Sequence, residues 1–493
     1  MDCNRRAAST GMTEIVDDTV AAASHNSSTE GNTASNENAP FLEKEQLQEE
    51  EGLLPNDRWK LVYFIILLQG IGTLLPWNTF LTIAKDYFID FKLENANGTE
   101  YQQNFFSYLG VCSQIPNLLL NFLNLFIVAN GAGLVRRIFG SLIFIIVVCL
   151  FTIIMIFVPS NTWPFTFFLI TMISVVALNS ANGVYQNSIY GLMADFPFTY
   201  TNAVILGSNL CGIFVSVLAI LMLLFVQDIQ LAATIYFGIA LLTVVFCAVT
   251  FHLLSKNSFY RYYVKKAARA REQKRNSLLN TSDASAESQK VPPGGEDDDI
   301  AQRLPLSAYI SILKEAWQPL FNVFIVFFVT LALFPAVLVK IQVGEQIDGY
   351  IEILGIKIQA DLFTALAVFL NFNVFATLGN FIANFVQWPS PKYLTYAVVP
   401  RLLFIPIFLF CNYIPANNRV FPVLISGEWN YIVLISLMSI THGYYSSLSM
   451  MYAPKVVEPS KSGTVGMMSA FFLILGITIG IIFTFVESII FSA

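Results

Sequence analysis

The sequence contains very little charge and no recognisable catalytic machinery. Asp, Glu, Lys and Arg make up 12% of its 493 residues, against about 25% in soluble proteins. It has three histidines and six cysteines, and the cysteines lack the spacing of zinc sites or disulfide frameworks. Motifs of serine hydrolases, phosphate-binding loops and zinc proteases are missing. These absences predict that the protein is not an enzyme and has no metal site and no cofactor.

The chain is rich in apolar residues. Hydrophobic residues make up 55% of the chain, with 44 Phe among them, and many apolar runs exceed the roughly 20 residues that cross a bilayer. The predicted fold is therefore an all-α integral membrane protein with eleven transmembrane helices in a 6+5 arrangement. The predicted spans are 60–84, 104–129, 136–158, 163–192, 200–226, 230–254, 318–340, 361–387, 394–413, 430–452 and 464–490.

Composition divides the chain into four regions. Residues 1–58 are polar and predict a disordered cytosolic tail, and residues 59–254 hold the first six spans. Residues 255–317 begin with a basic cluster and continue with an acidic, Ser-rich stretch, which predicts a flexible cytosolic linker. Residues 318–493 hold the last five spans. The linker is either a tether that contacts anionic lipid or a regulatory segment phosphorylated at Ser277.

The short loops predict the orientation in the membrane. Lys and Arg concentrate on the side that carries the N-terminus, which is typical of the cytosolic side. The opposite loop contains Asn97 in a glycosylation sequon, so we expect Asn97 to be modified outside the cell. An odd number of spans places the C-terminus outside. In the tail, Leu53 and Leu54 follow acidic residues, which indicates either a sorting signal read by adaptors or an acidic segment without that role.

Several spans carry polar residues that lipid does not tolerate. An unpaired amide in hydrocarbon costs several kcal/mol, so these groups face either protein or a solute path. Neutral amides suit an uncharged, ring-containing solute, although they also bond helices to each other. Small residues such as Gly476 and Gly480 predict close helix packing. The polar residues are Gln69, Thr73, Trp77 and Asn78 in span one, Asn179, Ser180, Asn182, Gln186 and Asn187 in span four, and Asn371, Asn373, Thr377 and Asn380 in span eight.

A series of short motifs occurs in order along the chain. It comprises GTLLPWN at 72–78, Asn179-Ser180 with Gly183 and Gln186, FYRYY at 259–263, FPAV at 334–337, Phe372-Asn373, Arg401-Leu402, Gly443-Tyr444, Pro454-Lys455 and AFFL at 470–473. With these motifs the chain resembles the equilibrative nucleoside transporter family from about residue 57 onward. The resemblance implies a fold like that of major facilitator transporters with one helix missing. It also implies that nucleosides, and nucleobases too, move down their gradient by alternating access, with lipid but no nucleic acid as partner.

The resemblance also implies a central substrate site. An amide at Gln186 would read the edge of the base as both donor and acceptor, and apolar side chains would cover its faces. Gly183 and Gly207 would be close-packing positions beside the cavity. Asn78, one position round from Trp77, is better placed to tie span one to a neighbouring helix. The implied substrate-binding residues are Leu74, Trp77, Leu81, Val111, Gln186, Phe334, Asn373, Asn380 and Ile477.

The chain departs from the family pattern in span eight. Relatives carry an Asp and, four residues later, an Arg that engage the ribose hydroxyls, whereas this chain has Ala376 and Asn380. Loss of both members leaves no orphan buried charge, so we expect the span to fold. Asn380 supplies either a weaker neutral hydrogen bond or packing between helices, and the alternative is a preference for bare nucleobases.

Other functions and locations stay open at this point. The protein could instead carry organic cations, or it could be a receptor or regulator that kept the fold and lost transport. His442 is either a titratable group or a packing histidine, and Glu487 is expected to reach the membrane surface. We expect the plasma membrane as the location, with a lysosomal or late endosomal membrane as the alternative.

Overall fold

The computed structural model describes residues 55–93, 99–126, 131–160, 162–282, 306–342, 346–347, 350–353, 356–413 and 422–491. The predicted glycosylation site Asn97 and the sorting pair Leu53 and Leu54 lie outside these residues. The described chain is almost entirely helical, with one small antiparallel sheet.

The principal helices are numbered in chain order. They are α1 (Leu61–Thr82), α2 (Phe105–Phe126), α3 (Gly131–Phe157), α4 (Pro164–Met193), α5 (Phe198–Phe225), α6 (Ile229–Leu254), α7 (Ser258–Ser282), α8 (Leu306–Leu333), α9 (Ala360–Ala383), α10 (Leu394–Leu409), α11 (Glu428–Tyr452) and α12 (Ser462–Phe491). A π-helical segment, Ala84–Lys92, follows α1. The sheet has the order β1 (Gln346–Ile347), β2 (Tyr350–Ile353) and β3 (Ile356–Gln359).

Nine helices in the described ranges are long and apolar enough to cross a membrane: α1 to α6, α8, α9 and α12. Predicted span nine corresponds to α10, which is shorter and tightens to a 3₁₀ turn at Val399–Leu403. Predicted span ten corresponds to α11, which has 25 residues but contains many Ser, Thr and Tyr side chains. The all-α membrane fold is therefore confirmed, while the count of eleven stays a prediction.

The predicted flexible linker differs from the structure at both ends. Residues Ser258–Ser282 form the helix α7, because Asn257 Oδ1 accepts hydrogen bonds from the backbone N–H groups of Phe259 and Tyr260 and so caps the first turn. The Phe259 ring then packs against Tyr200 of α5, with centroids 5.3 Å apart. Helix α8 begins at Leu306 instead of 318. The basic residues that indicated a tether therefore lie on an anchored helix.

Proline acts differently in α1 and after α8. Helix α1 continues through Pro76, although proline lacks the N–H that the helix normally uses. Helix α1 also packs closely on α5, since a Cβ atom on Gly207 would lie 2.0 Å from the Leu67 carbonyl oxygen. Helix α8, in contrast, ends at Leu333, and Phe334 with Pro335 begins a turn. The FPAV motif at 334–337 thus begins where the helix ends.

Two hydrophobic cores organise the bundle. One lies among α1 to α6 and extends to parts of α8 and α12, and the other lies among α8 to α11 and includes Ile351 of the sheet. We call α1 to α6 the first half and α8 to α12 the second half. The end of the bundle where α7 lies is the linker end, and the opposite end, where the strands lie, is the sheet end. Helices α8 and α12 pack closely, as predicted for Gly476 and Gly480, whose Cβ positions lie 2.7 Å from backbone oxygens of α8.

Candidate functional site

The polar face predicted on α4 lies inside the bundle. Asn179, Asn182 and Gln186 are 2%, 5% and 3% exposed. Gly183 on the same face allows contact with α2, because a Cβ atom there would lie 2.8 Å from the Asn117 backbone oxygen. Within the described chain, the side-chain oxygens of Gln186 and Asn182 accept no hydrogen bond. Buried amide oxygens normally have a partner, so this face has unused capacity to bind a polar molecule.

Helix α12 touches α4 next to these amides. Gly466 of α12 packs against Tyr190 of α4, because a Cβ atom on Gly466 would lie 2.6 Å from the Tyr190 backbone oxygen. Asn187 Nδ2 of α4 donates to the Met467 backbone oxygen at 2.9 Å. Ile477 follows Gly466 by three helical turns, so it lies on the same face, and it is only partly buried. The two helices are therefore in tight contact at the linker end and less so towards the sheet end.

The burial of α2 against α12 also differs between the two ends of the bundle. Phe122 of α2 packs on Phe471 of α12, with ring centroids 5.3 Å apart. Val111 precedes Phe122 by three turns and shares its face, yet it is 56% exposed. Phe122 itself is 41% exposed, and from the larger exposure of Val111 we infer a cleft between α2 and α12 that opens towards the sheet end.

The residues of α1 that are predicted to line the site also become more exposed towards the sheet end. Leu74 and Trp77 are partly buried, whereas Leu81, nearer the sheet end, is 39% exposed. Asn78 Nδ2 approaches Cys211 Sγ of α5 at 3.7 Å. The prediction that Asn78 ties α1 to a neighbour is therefore confirmed, while the place of Trp77 in a substrate-binding wall stays a prediction.

In the second half, Phe334 and Asn373 lie where α9 meets its neighbours. The Phe334 ring stacks on Phe372 with centroids 4.0 Å apart. Asn373 Nδ2 donates to Ser216 Oγ of α5 at 3.3 Å, and it crowds Gly212 of the same helix. Asn373 therefore lies at the seam between the halves.

Asn380 and Ala376 are both fully buried, at 0% exposure. The Asn380 side-chain oxygen accepts a hydrogen bond from Ser447 Oγ of α11 at 2.8 Å, and its backbone oxygen accepts one from Asn202 of α5 at 2.9 Å. The Ala376 backbone touches Gly443 of α11. In this structure, these hydrogen bonds of Asn380 link α9 to α11 and α5.

Sequence reasoning missed a buried cation beside this region. Arg401 of α10 is 2% exposed and donates to the Val326 and Met438 backbone oxygens and to the hydroxyls of Thr330 and Thr441 at 3.0 to 3.3 Å. All four acceptors are neutral. The signal in the sequence is a single arginine within an apolar run.

The linker end is held by charged and aromatic contacts. Asp195, between α4 and α5, forms an ion pair with Arg271 of α7 and accepts a hydrogen bond from Ser462 Oγ at the start of α12. The Lys455 ammonium lies 3.7 Å from the centre of the Phe198 ring of α5. These contacts join the two halves and the linker helix, so the cleft is closed at this end.

A bundle of membrane-length helices, closed at one end around buried amides, defines the class as a multi-pass helical membrane protein with an internal cleft. A family model described as "Nucleoside transporter" matches residues 172–489. The chain belongs to the nucleoside transporter family, as the motifs in the sequence indicated.

Two human relatives illustrate the similarity. The chain is 30% identical to Equilibrative nucleoside transporter 1 of Homo sapiens over 87% of this chain and 97% of that protein. It is 29% identical to the human Equilibrative nucleoside transporter 2, with the same coverage of both chains. Among solved structures, the human organic anion transporter MFSD10 (TETRAN) matches with a TM-score of 0.46 and 15% identity, over 88% of this chain and 94% of that one.

Proposed function

We propose that the protein is a facilitative transporter of nucleosides that works by alternating access. The observation that carries the proposal is the buried Gln186 side chain, whose oxygen accepts no hydrogen bond in the described chain and which lies one turn from the α4 contact with α12. Family membership and the names of the human relatives support the same substrate class.

The chemistry of the cleft suits a nucleoside. A primary amide offers a donor and an acceptor, which is what the edge of a nucleobase requires. Leu74, Trp77, Phe334 and Ile477 are apolar and partly open, so they can cover the faces of a flat ring, as apolar side chains do in most small-molecule sites. Each of these residues is uncharged, which favours movement down a gradient without ion coupling.

We propose that the linker end faces the cytosol. Basic residues in the connections at this end, such as Lys392, Lys455 and Lys461, fit the rule that cytosolic loops are positively charged. The contacts that close the linker end support the further proposal that this structure is an outward-open state. Alternation would then require the contacts of Asp195 and Asn187 with α12 to break while α2 and α12 approach each other near Val111.

The compartment and the chain division are also proposals. We place the protein in the plasma membrane, with residues 59–254 and 318–493 as the two moving parts and residues 255–317 as their connection. Surface labelling before and after the double change Leu53→Ala and Leu54→Ala tests whether adaptors direct a part of it to an acidic organelle. An unchanged surface fraction would show that this pair does not sort the protein.

Uptake measurements test the function directly. The protein is expressed in cells without endogenous carriers, its surface amount is measured, and uptake of radiolabelled uridine, adenosine and hypoxanthine is followed. We expect saturable nucleoside uptake that reaches the external concentration and does not depend on sodium or a pH gradient. Absence of uptake of all three solutes by surface-delivered protein would refute the proposal.

Two matched glutamine variants test the amide. Gln186→Leu keeps the approximate volume and removes the hydrogen bonds, so we expect the KM for uridine to rise about tenfold, the effect of one lost hydrogen bond of about 1.4 kcal/mol. Gln227→Leu changes an exposed glutamine between α5 and α6 and should leave the KM within twofold. Equal KM values for both variants would remove Gln186 from the site.

A further inference from the structure

We propose that His442 of α11 binds a sugar hydroxyl of the transported nucleoside and makes the protein selective for nucleosides over their deoxygenated analogues. The inference rests on the proposed function. It starts from α9, where Ala376 has no polar side-chain atom and the Asn380 oxygen is already bonded to Ser447. Asn380 Nδ2 has no hydrogen-bond partner in the described chain but is itself fully buried, so neither position presents a polar atom to a solute. We therefore assign the sugar, the most polar part of a nucleoside, to another polar side chain of the second half.

His442 is held in one orientation by a buried hydrogen-bonded group. The Thr330 hydroxyl oxygen lies 2.9 Å from His442 Nδ1 and accepts a hydrogen bond from Arg401 Nη2 at 3.0 Å. Arg401 in turn is fixed by the backbone oxygens of Val326 and Met438. Because Nδ1 is engaged by Thr330, Nε2 is the ring nitrogen left for a solute. A positioned imidazole of this kind can exchange one directed hydrogen bond with a hydroxyl group.

The imidazole lies between two residues of the second half that are predicted to line the site, Phe334 and Ile477. Its ring centroid lies 5.6 Å from that of Phe372, which stacks on Phe334. It also lies 5.1 Å from that of Phe327, with the planes nearly perpendicular. Phe327 touches Gly476, the residue before Ile477. His442 thus lies between the aromatic pair at Phe334 and the α12 segment that carries Ile477.

This placement divides recognition between the two halves of the protein. Gln186 on α4 would hold the base, and His442 on α11 would hold the sugar. A nucleoside that contacts both halves favours the state in which they approach, which is how binding energy drives closure around a substrate. A bare nucleobase would make only the first contact.

The test compares solutes with and without the sugar hydroxyls. Uptake of uridine and of 2′,3′-dideoxyuridine is measured on surface-delivered wild type and on two variants. Asn at this position retains a polar atom near Nδ1 and loses the one near Nε2, whereas Gln reaches the Nε2 position. For His442→Asn we expect the KM for uridine to rise about tenfold and the KM for dideoxyuridine to change less than twofold.

His442→Gln should recover at least part of the affinity for uridine. A structural role of His442 would move both KM values together, so equal changes for the two solutes would overturn the inference. The wild type alone also decides, because equal KM values for uridine and dideoxyuridine would overturn it whether or not the variants fold. Failure of the wild type to transport any nucleoside would instead refute the proposed function.

Discussion

Replacement of Asp195 by Asn should open the linker end of the protein. The Asp195 side chain is 3% exposed and bonds to both Arg271 of α7 and Ser462 of α12. Asparagine keeps an acceptor for Ser462 but removes the ion pair with Arg271, whose Nη2 lies 2.9 Å from the Cβ position of Gly463 of α12 and so connects Asp195 to the second half. Hydrogen bonds to charged groups contribute about 1.5 to 3 kcal/mol, and Arg271 is 24% exposed, so we take the lower value. A loss of about 1.5 kcal/mol shifts the ratio of closed to open linker ends roughly tenfold.

Distances between spin labels on the two halves measure this shift. Ser255, at the end of α6, and Lys392, before α10, are exposed, and each is replaced by Cys in a background where Cys3 and Cys112 are Ser. We expect Asp195→Asn to increase the population with the longer distance about tenfold. Asp195→Glu should restore much of the short-distance population, because it keeps the charge.

The control is an ion pair that does not join the halves. Lys461 and Glu315 pair at 2.7 Å between the start of α12 and α8, both in the second half. Lys461→Gln removes an equivalent charge near the same end and should leave the distance distribution unchanged. If Asp195→Asn and Lys461→Gln had the same effect, general loss of charge would explain the opening, and our reasoning on Asp195 would be wrong.

Two further predictions concern folding and pH. Gly207→Ala places a methyl group against the Leu67 carbonyl of α1, so we expect about 1 to 3 kcal/mol of destabilisation and a lower Tm, whereas Gly238→Ala, which meets no atom within 4 Å, should not lower it. Partial burial raises the pKa of Asp86, and the carboxylates of Asp90 and Asp361 raise it further against the opposing effect of Lys85. The folded protein therefore holds the proton more tightly, and stability falls as pH rises through the raised pKa. At pH 7, Asp86→Asn should raise the free energy of unfolding by a few tenths of a kcal/mol and the Tm slightly. If the Tm difference between variant and wild type persisted unchanged below pH 4, the raised pKa of Asp86 would not be its cause.

Much of the site could be read from helical periodicity. Residues three and four apart share a face of a helix, so the buried face of Asn179, Asn182 and Gln186 followed from spacing. The tie between Asn78 and α5 followed from its position relative to Trp77. These predictions concern one helix at a time, where the sequence order and the geometry are linked directly.

Contacts between helices could not be predicted in the same way. The partners of Arg401 include the backbone oxygens of Val326 and Met438, and every residue carries such an oxygen, so no side-chain pattern marks them. The composition of α7 is typical of a solvated tether, yet its first turn is capped by Asn257 and its aromatic residues pack on α5. Packing therefore outweighed local composition in the linker.

The sequence by itself determined that the chain resides in a membrane, which segments are long and apolar enough to span it, and which polar residues cannot face lipid. These properties depend on the free energy of placing each side chain in hydrocarbon, which is set residue by residue. Tertiary structure decided which partner each polar group meets. The Asn380 oxygen is bonded to Ser447, whereas the Gln186 oxygen accepts no hydrogen bond in the described chain, because the order and tilt of neighbouring helices place a donor beside one amide oxygen and not beside the other.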